Sequence, residues 1–236
     1  MSQRLPWRRI TAEGLVIVAS VLIALAADAW WDGRQDRAEE AARLSAVRAE
    51  LGDARVTYEG LLKVIADETS LIAELIHESR EPTGSTERLD SIFFRLGPFY
   101  DPSPPTAAVD DAVSGGALSL IESPELRRAL GRYRTAVEAV RVEAEATRQR
   151  FEAEVHFNYE YINLRRQMST SPSDAFPQLP DPDFDPRYAE LLQSRRFLNQ
   201  MVGRAALMGR MRGRTSEALA RMDELTRLID SLGFRH

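Results

Sequence analysis

Apolar residues recur along this chain at alternating spacings of three and four, which is the pattern of amphipathic helices that pack in bundles. The clearest segment covers residues 35–79, which contain no proline. Its apolar positions form two rows with a seven-residue repeat, and only Glu68 interrupts the second row. The rows are Leu44, Leu51, Tyr58, Ile65 and Ile72, and then Val47, Ala54, Leu61 and Leu75. We therefore predict a long helix over residues 35–79 with this stripe facing inward.

Two further long helices are predicted, at residues 123–167 and 187–232. Ser123 followed by Pro124 is a typical helix start, because the serine hydroxyl caps free backbone N–H groups and proline presets φ. The inward positions expected in the first of these helices are Leu126, Leu130, Tyr133, Val137, Val140, Ala144, Thr147 and Phe151. Those expected in the second are Leu198, Met201, Ala205, Met208, Leu219, Met222 and Ile229.

Proline and glycine divide the rest of the chain into short elements. These are a helix at residues 86–96 with Leu89, Ile92, Phe93 and Leu96 inward, a helix at 106–114, and proline-rich loops at 97–105 and 169–186. No segment has the alternating pattern of a strand. The predicted fold class is therefore all-α, with an antiparallel bundle of three long helices and short connecting helices.

The stretch LVIVASVLIALAADAWW at residues 15–31 has two interpretations. As an export signal, it follows a basic start and offers a small-residue cleavage pattern ending at Ala26, so residues 1–26 would be removed from a secreted protein. As an anchor, residues 10–31 form a transmembrane helix of about 33 Å, which is enough to span a bilayer. Tryptophans at both ends favour the anchor, because indole rings prefer membrane interfaces.

The positive charge before the apolar stretch predicts an orientation. Arg8 and Arg9 directly precede it, and a short basic tail tends to stay on the cytoplasmic side of the membrane. Residues 1–9 are therefore predicted as a short cytoplasmic tail. Residues 32–236 are predicted as a helical-bundle domain in the periplasm.

The run EGLVIVASVLIALAADAW resembles the start of an uncharacterised family of bacterial single-pass membrane proteins. In that family a glutamate precedes an apolar helix with an LIAL-type core, and a small polar residue, a tryptophan and a charged helix follow. Glu13, residues 22–25, Asp28 and Trp30 match this pattern, although asparagine is more common in place of Asp28. The segment VSGGALSLIESPELRRALGRYR continues the resemblance weakly. The resemblance implies a location and a shape, but no activity.

Composition excludes several functional classes. The net charge is −5 and Lys63 is the only lysine, so no overall basic field favours nucleic acid as a partner. The absence of cysteine excludes disulfides, thiolate metal sites and thiol nucleophiles. A chain of 236 residues is long enough for one core-forming domain and an additional segment.

One pair of residues suggests metal chemistry. Glu74 and His77 have the i, i+3 spacing that di-iron helical bundles use twice. The second copy is missing, because Ala153 stands three residues before His156. We therefore expect no metal, no cofactor and no catalytic residue, with Glu74 and His77 at a solvated helix end.

Polar residues are concentrated in the segment HFNYEYINLRR. They indicate either a small polar pocket between helices or a helix end whose tyrosines pack sideways. The residues concerned are His156, Asn158, Tyr159, Glu160, Tyr161 and Asn163. Whether a ligand binds there is left open.

The last predicted helix is rich in arginine and methionine. The arginines indicate either a surface for a partner or anionic lipid, or long stems that cover apolar helix flanks. They are Arg195, Arg196, Arg204, Arg210, Arg212 and Arg214. The methionines are expected to fill the core, and they are Met201, Met208, Met211 and Met222.

These features predict a single-pass protein of the bacterial inner membrane that is not an enzyme. It would contact the lipid bilayer through residues 10–31 and bind a protein partner or form a homo-oligomer, as a partner-binding or assembly-organising module. The alternative is an extracytoplasmic ligand-sensing bundle. Such a bundle would act through a second protein, because residues 1–9 leave no room for an output module.

Overall fold

The computed structural model of the protein describes residues 7–96, 103–114, 118, 121–169 and 184–232. These residues form helices joined by turns and short loops, and no strand occurs among them. The helices are α1 (Trp7–Glu78), α2 (Thr86–Arg95), α3 (Ala107–Val113), α4 (Pro124–Asn158), α5 (Leu164–Ser169), α6 (Tyr188–Gln193) and α7 (Arg195–Ser231). The prediction of an all-α helical bundle is confirmed.

The long helices do not all alternate in direction. Ion pairs between α1 and α7, and between α4 and α7, join residues whose numbers rise on one helix as they fall on the other. These pairs are Arg48–Asp230 and Arg55–Asp223, and Arg132–Glu224 and Glu143–Arg210. Helix α7 is therefore antiparallel to both α1 and α4, and α1 and α4 run parallel to each other. The chain returns between them through α2 and α3.

The half of the bundle next to the N-terminal part of α1 is called the proximal half. Its core is formed by residues 44–65 of α1 together with α3, α4 and residues 208–229 of α7. Helix α3 packs against both α1 and α4. The Glu50 carboxylate of α1 accepts hydrogen bonds from the backbone N–H groups of Ala108 (2.7 Å) and Val109 (3.1 Å), which satisfies two free donors in the first turn of α3.

The other half, called the distal half, has a separate core. It contains residues 71–75 at the end of α1, together with α2, α6, Ile162, and Phe197 and Met201 at the start of α7. Phe93 of α2 stacks on Tyr188 of α6 with ring centroids 5.2 Å apart. The short helices thus close the end of the bundle where α1 stops.

The predicted stripe of α1 is confirmed, because every apolar member of both rows is buried. The four inward positions predicted in residues 86–96 are buried as well. The stripe predicted for the last helix is partly wrong, since Leu198, Ala205 and Leu219 lie at its flanks and are only partly buried. The buried residues of this helix are Phe197, Gln200, Met201, Arg204, Met208, Met211, Thr215, Ala218, Met222, Leu225 and Ile229.

Two predicted helices are interrupted. The helix predicted at 123–167 ends at Asn158, and α5 begins at Leu164 because the Asn163 side chain accepts hydrogen bonds from the N–H groups of Arg165 and Arg166. The helix predicted at 187–232 breaks at Ser194, whose hydroxyl accepts a hydrogen bond from Phe197 N–H and starts α7. The predicted loops at 97–105 and 169–186 lie largely outside the described residues.

Helix α1 extends far beyond the bundle on its N-terminal side. Among its described side chains, the first buried one is Glu40, and the described large apolar side chains that precede it are exposed. These include Leu15, Val18, Val21, Leu22, Ile23, Leu25, Trp30 and Trp31. Among the described residues, no helix has an apolar stretch of the length and hydropathy needed to cross a membrane. The transmembrane helix predicted at residues 10–31 is therefore not supported by the described residues.

Candidate functional site

A buried ion pair joins α1 to α7 in the distal half. Arg204 Nη2 donates to Glu68 Oε2 at 3.1 Å and to the carbonyl oxygen of Leu96 at 2.9 Å. Both charged side chains are only 8% exposed. The guanidinium also lies 4.5 Å from the ring centroid of Phe151, a distance at which a cation is attracted to an aromatic face. Burial raises the pKa of Glu68, and the Arg204 charge opposes that rise.

A second polar network holds α2, α5 and α6 together. The Tyr188 hydroxyl donates to Asp90 Oδ1, and Gln167 Nε2 donates to the Tyr188 oxygen at 3.3 Å. Arg166 Nε donates to the other Asp90 oxygen at 3.3 Å. Burial and the hydrogen bond to Asp90 raise the pKa of Tyr188 well above its usual range. Because these groups bond to one another, the network has a structural role.

The polar run, for which the sequence indicates either a pocket or a helix end with sideways-packed tyrosines, is divided by the structure into two parts. Asn163 is fully buried, and its Nδ2 donates to the carbonyl oxygen of Phe184 at 2.9 Å, so this side chain fixes the chain path. Tyr161 packs under the Arg187 guanidinium, 5.0 Å from the ring centroid. His156 and Tyr159 are exposed and meet edge to face at 6.1 Å. Glu160 is exposed as well.

Asn158 and Tyr159, from the same run, line a cavity of about 650 Å³ in the distal half. Its walls are mainly apolar and include Phe93, Phe94, Leu96, Phe151, Ile162 and Met201. Tyr159 is 46% exposed and Leu164 is 43% exposed, so the cavity opens to solvent beside them. The volume and the largely apolar walls are typical of small-molecule sites, which are about 300–1,000 Å³.

The two charged residues among the described residues that line the cavity are arginines. Arg204 is paired with Glu68, whereas Arg95 is exposed and pairs with none of the described residues. No acidic side chain is among the described residues that line the cavity. The Asn158 Oδ1 atom is buried and accepts no hydrogen bond from any described residue. The described lining residues therefore combine mainly apolar walls with Arg95, whose charge is paired with none of the described residues.

The described residues do not complete the di-iron motif of which Glu74 and His77 would be one half. Glu74 pairs with Arg88, with 2.6 Å between Glu74 Oε1 and Arg88 Nη2, and His77 is exposed near the end of α1. No group of three or more histidine, cysteine, aspartate or glutamate side chains converges within the described part of the chain. The structure thus brings no further ligand to this pair.

The arginines of α7 are mostly engaged in contacts within the protein. Arg196 lies over the Phe157 ring at 4.2 Å, Arg210 Nε is 2.9 Å from Glu143 Oε1, and Arg214 pairs with Glu217. Arg195 and Arg212 are exposed. The interpretation that arginine stems cover the helix flanks is favoured over a dedicated anionic-lipid surface. The four methionines of the predicted core set are buried, as predicted.

Sequence reasoning missed the most connected polar residues of the distal half. The sequence pattern places Arg204 with the other arginines of the last helix, and it gives no reason to select Asp90 or Gln167. A signal existed for Arg204, because it stands seven residues after Phe197 and four before Met208, in an otherwise apolar row. Glu68 has the same kind of position on α1. Two opposite charges that each interrupt an inward row are an indication of a buried pair.

The fold and the site define an all-α bundle with an apolar cavity at one end. No family model matches this sequence, and comparisons with curated proteins and with solved structures find no match. The resemblance to bacterial single-pass membrane proteins therefore rests on the residues quoted above.

Proposed function

We propose that the protein is a single-pass, membrane-anchored binding module of the bacterial inner membrane, with its N-terminus in the cytoplasm and its helical bundle in the periplasm. In this proposal the bundle binds a protein partner, or a second copy of the chain, and organises an assembly. It does not catalyse a reaction.

The observation that supports an anchor is the exposure of apolar residues on all sides of α1. Val21, Leu22 and Ile23 are consecutive and are 53%, 60% and 69% exposed. Successive residues of a helix point about 100° apart, so these three side chains cover most of its circumference. A helix with apolar residues all round is one that is buried in a protein or in lipid, and nothing in the described part of the chain covers this one.

The sequence supplies the rest of the apolar stretch. Residues 10–14, 16 and 17 belong to the proposed anchor, and their side chains lie outside the described residues. Trp30 and Trp31 are each 63% exposed at the other end, where interfacial indoles are expected. The Arg34 guanidinium lies 5.8 Å from the Trp30 ring centroid, which is consistent with a contact at a membrane surface.

Because α1 is one continuous helix, it would hold the bundle at a fixed distance from the proposed anchor. Helix α1 has 72 residues, and the rise of about 1.5 Å per residue gives it a length of about 108 Å. Residues 32–43 separate the tryptophans from the first core residue, Leu44, which sets the bundle about 20 Å from the interface. A rigid spacer of this kind suits a module that meets a partner at a defined height above the bilayer.

The proposal that the protein binds a partner without catalysing a reaction is supported by the contacts of its buried carboxyl groups. The carboxyl groups of Glu68 and Asp90 are engaged by Arg204, Arg166 and Tyr188. A catalytic group must be free to exchange a proton or to contact a substrate.

The ligand-sensing alternative is favoured by one observation, the apolar cavity. If residues 1–26 were a cleaved signal, the same bundle would be a secreted protein.

The anchor can be tested with two arginine substitutions on α1 at positions of nearly equal exposure. Ile23 is 69% exposed and Val56 is 73% exposed, so neither change disturbs protein packing. An arginine at the centre of a membrane helix costs about 2.5–3.5 kcal/mol on insertion scales. We expect the unmodified chain to resist carbonate extraction, Ile23→Arg to shift protein into the soluble fraction, and Val56→Arg to behave like the unmodified chain.

Orientation can be tested with a Ser103→Cys variant, because the protein has no other thiol. Ser103 is exposed in the loop before α3, so a membrane-impermeant maleimide should label it once the outer membrane alone is permeabilised. Labelling that requires rupture of the inner membrane would place the bundle in the cytoplasm. A soluble mature chain that begins near Ala27 would contradict the anchor.

A further inference from the structure

We propose that the distal cavity is a binding site for a small aromatic carboxylate, with the apolar body in the cavity and the carboxylate at Arg95. This inference does not depend on the membrane anchor. It concerns a cavity enclosed by α2, α4, α5 and α7, and the part of each helix that faces it.

The walls favour an aromatic body. The cavity is lined by the rings of Phe93, Phe94, Phe151 and Tyr159, and ring–ring contacts are favourable beyond the area that they bury. Phe93 is held by its stacking on Tyr188, and the Phe151 ring is held against Arg204. Two of the four rings, Phe93 and Phe151, are therefore held by contacts within the protein, which reduces the ordering needed when a ligand enters.

The charges favour a carboxylate. Arg95 is at the cavity, is exposed, and has no partner among the described residues, whereas the Arg204 charge is balanced by Glu68. A guanidinium binds a carboxylate through two parallel N–H···O bonds, which gives both affinity and orientation. No acidic residue is among the described residues that line the cavity, so none of these residues repels an anion.

We expect the carboxylate of the ligand to contact Arg95 and not Arg204, because Arg204 already belongs to the buried pair with Glu68. Arg204 already donates to Glu68 and to the carbonyl oxygen of Leu96, so its donors face the protein. Placing a second carboxylate beside Glu68 would bring two negative charges together in a buried environment. Arg95, at the end of α2, is free of such a neighbour and keeps the charged end of a ligand in contact with water.

The test measures ligand binding at the site itself, by protection of a single thiol. Leu164→Cys places the only thiol at the cavity mouth, and Val56→Cys places it on the exposed face of α1. Full-length protein is used without detergent, which would compete for an apolar cavity: in lipid nanodiscs if the protein fractionates with membranes, and in buffer if it does not. The probes are naphthalene-2-carboxylate, the uncharged naphthalene-2-carboxamide, and decanoate as an acyl carboxylate.

We expect naphthalene-2-carboxylate to slow maleimide labelling of Leu164→Cys at least about fivefold and to leave Val56→Cys unchanged. Arg95→Ala should raise the half-protecting concentration of the carboxylate about tenfold, the loss expected for one charge-assisted contact, and should not affect the carboxamide. The matched control is Arg212→Ala, which removes an exposed arginine elsewhere and should have no effect. Met168→Trp should abolish protection by filling the cavity while Arg95 is kept.

Three results would overturn the proposal. The first is labelling of Leu164→Cys that is unaffected by any probe while circular dichroism shows folded protein. The second is equal protection by the carboxylate and the carboxamide with no effect of Arg95→Ala, which would remove the role of the charge. The third is protection by decanoate without protection by naphthalene-2-carboxylate, which would show that the body of the ligand is an acyl chain.

Discussion

The two halves of the bundle bury different kinds of side chain. The proximal core is built from apolar residues on three long helices and α3, and its ion pairs lie at the surface. The distal half buries Glu68, Asp90, Asn163, Gln167 and Arg204 beside a cavity. Apolar packing tolerates substitution if volume is kept, whereas buried polar groups need specific partners. The proximal half thus depends mainly on apolar packing, and the distal half depends on specific polar partners beside the cavity.

The largest effect is expected from charges in the proximal core. Leu51→Asp combined with Ile65→Asp should abolish cooperative folding, because each carboxylate would be buried without a partner at a cost of several kcal/mol. The two residues are 1% and 3% exposed. Thermal melts followed by circular dichroism measure this. Val56→Asp is the control on the same helix, and a loss as large as that of the double variant would show that the inward face is assigned wrongly.

The next effect tests the buried pair of the distal half. Arg204→Met should destabilise the protein by about 3–5 kcal/mol at neutral pH, because Glu68 is left charged and unpaired. The double variant Glu68→Leu with Arg204→Met should recover most of this loss, since two apolar residues can replace the pair. Urea unfolding gives both free energies. A double variant no more stable than Arg204→Met would mean that Arg204 acts through its packing on Phe151 instead.

The pH dependence of Arg204→Met gives an independent check. Burial raises the folded-state pKa of Glu68 above its ordinary value of 4.5, and loss of Arg204 removes the opposing charge. A carboxyl group with a raised folded-state pKa stabilises the fold below its unfolded pKa, and that contribution is lost as pH rises through the folded pKa. The deficit of Arg204→Met should therefore be smallest in acid and should grow toward neutral pH. A deficit independent of pH would exclude Glu68 as its cause.

Substitution of one buried tyrosine in each half compares the two halves directly. Tyr188→Phe in the distal half should cost about 1–3 kcal/mol, because it removes the donor to buried Asp90. Tyr58→Phe in the proximal half should be neutral or slightly stabilising, because the Tyr58 hydroxyl is buried and has no hydrogen-bond partner among the described residues. Urea unfolding at pH 7 measures both. Equal losses in the two variants would contradict the difference between the halves.

Tyr58 also predicts an alkaline effect. Burial raises its pKa from 10.0 to about 12. The stability that this group contributes is present below pH 10 and is lost as pH rises through about 12. Tyr58→Phe should therefore resist alkaline unfolding better than the unmodified protein, as measured by circular dichroism across that range.

The smallest effect is expected at the surface of α7. Arg210→Ala and Arg212→Ala should each change stability by less than about 1 kcal/mol, since Arg210 is in an exposed pair and Arg212 is exposed. A larger loss would show that surface ion pairs stabilise the proximal half as strongly as the buried Glu68–Arg204 pair stabilises the distal half.

How much of the fold the sequence predicts depends on whether the buried residues of each helix are apolar. The α1 stripe and the inward residues of the helix at 86–96 follow from apolar spacing, because repeated burial of one face leaves a periodic pattern. On α7 the inward row contains Arg204 and Thr215, so a search for apolar residues selects the flanking Leu198, Ala205 and Leu219 instead. Periodicity identifies a buried face only where the buried residues are apolar.

The cavity could not be predicted, for a related reason. Its walls come from α2, α4, α5 and α7, and the chain turns twice, after Asn158 and at Ser194, to bring them together. Both turns depend on single side chains, the Asn163 amide and the Ser194 hydroxyl, in segments where the helical pattern continues through the break. The segment around Asn158 and Tyr159 was a useful signal, but its partners on α2 come from a distant part of the sequence.

The pairing of α1 with α7 has a consequence for synthesis of the protein. Residues 182 positions apart meet in the Arg48–Asp230 pair, so the proximal core joins the early and late parts of the chain. Helix α1 ends at residue 78 and α7 at residue 231, and at roughly 5–20 residues per second the ribosome needs on the order of 8–30 s between them. During that time the apolar stripe of α1 has no α7 to cover it. Contacts of such long range also slow folding, so the nascent chain is exposed to aggregation until its last helix is complete.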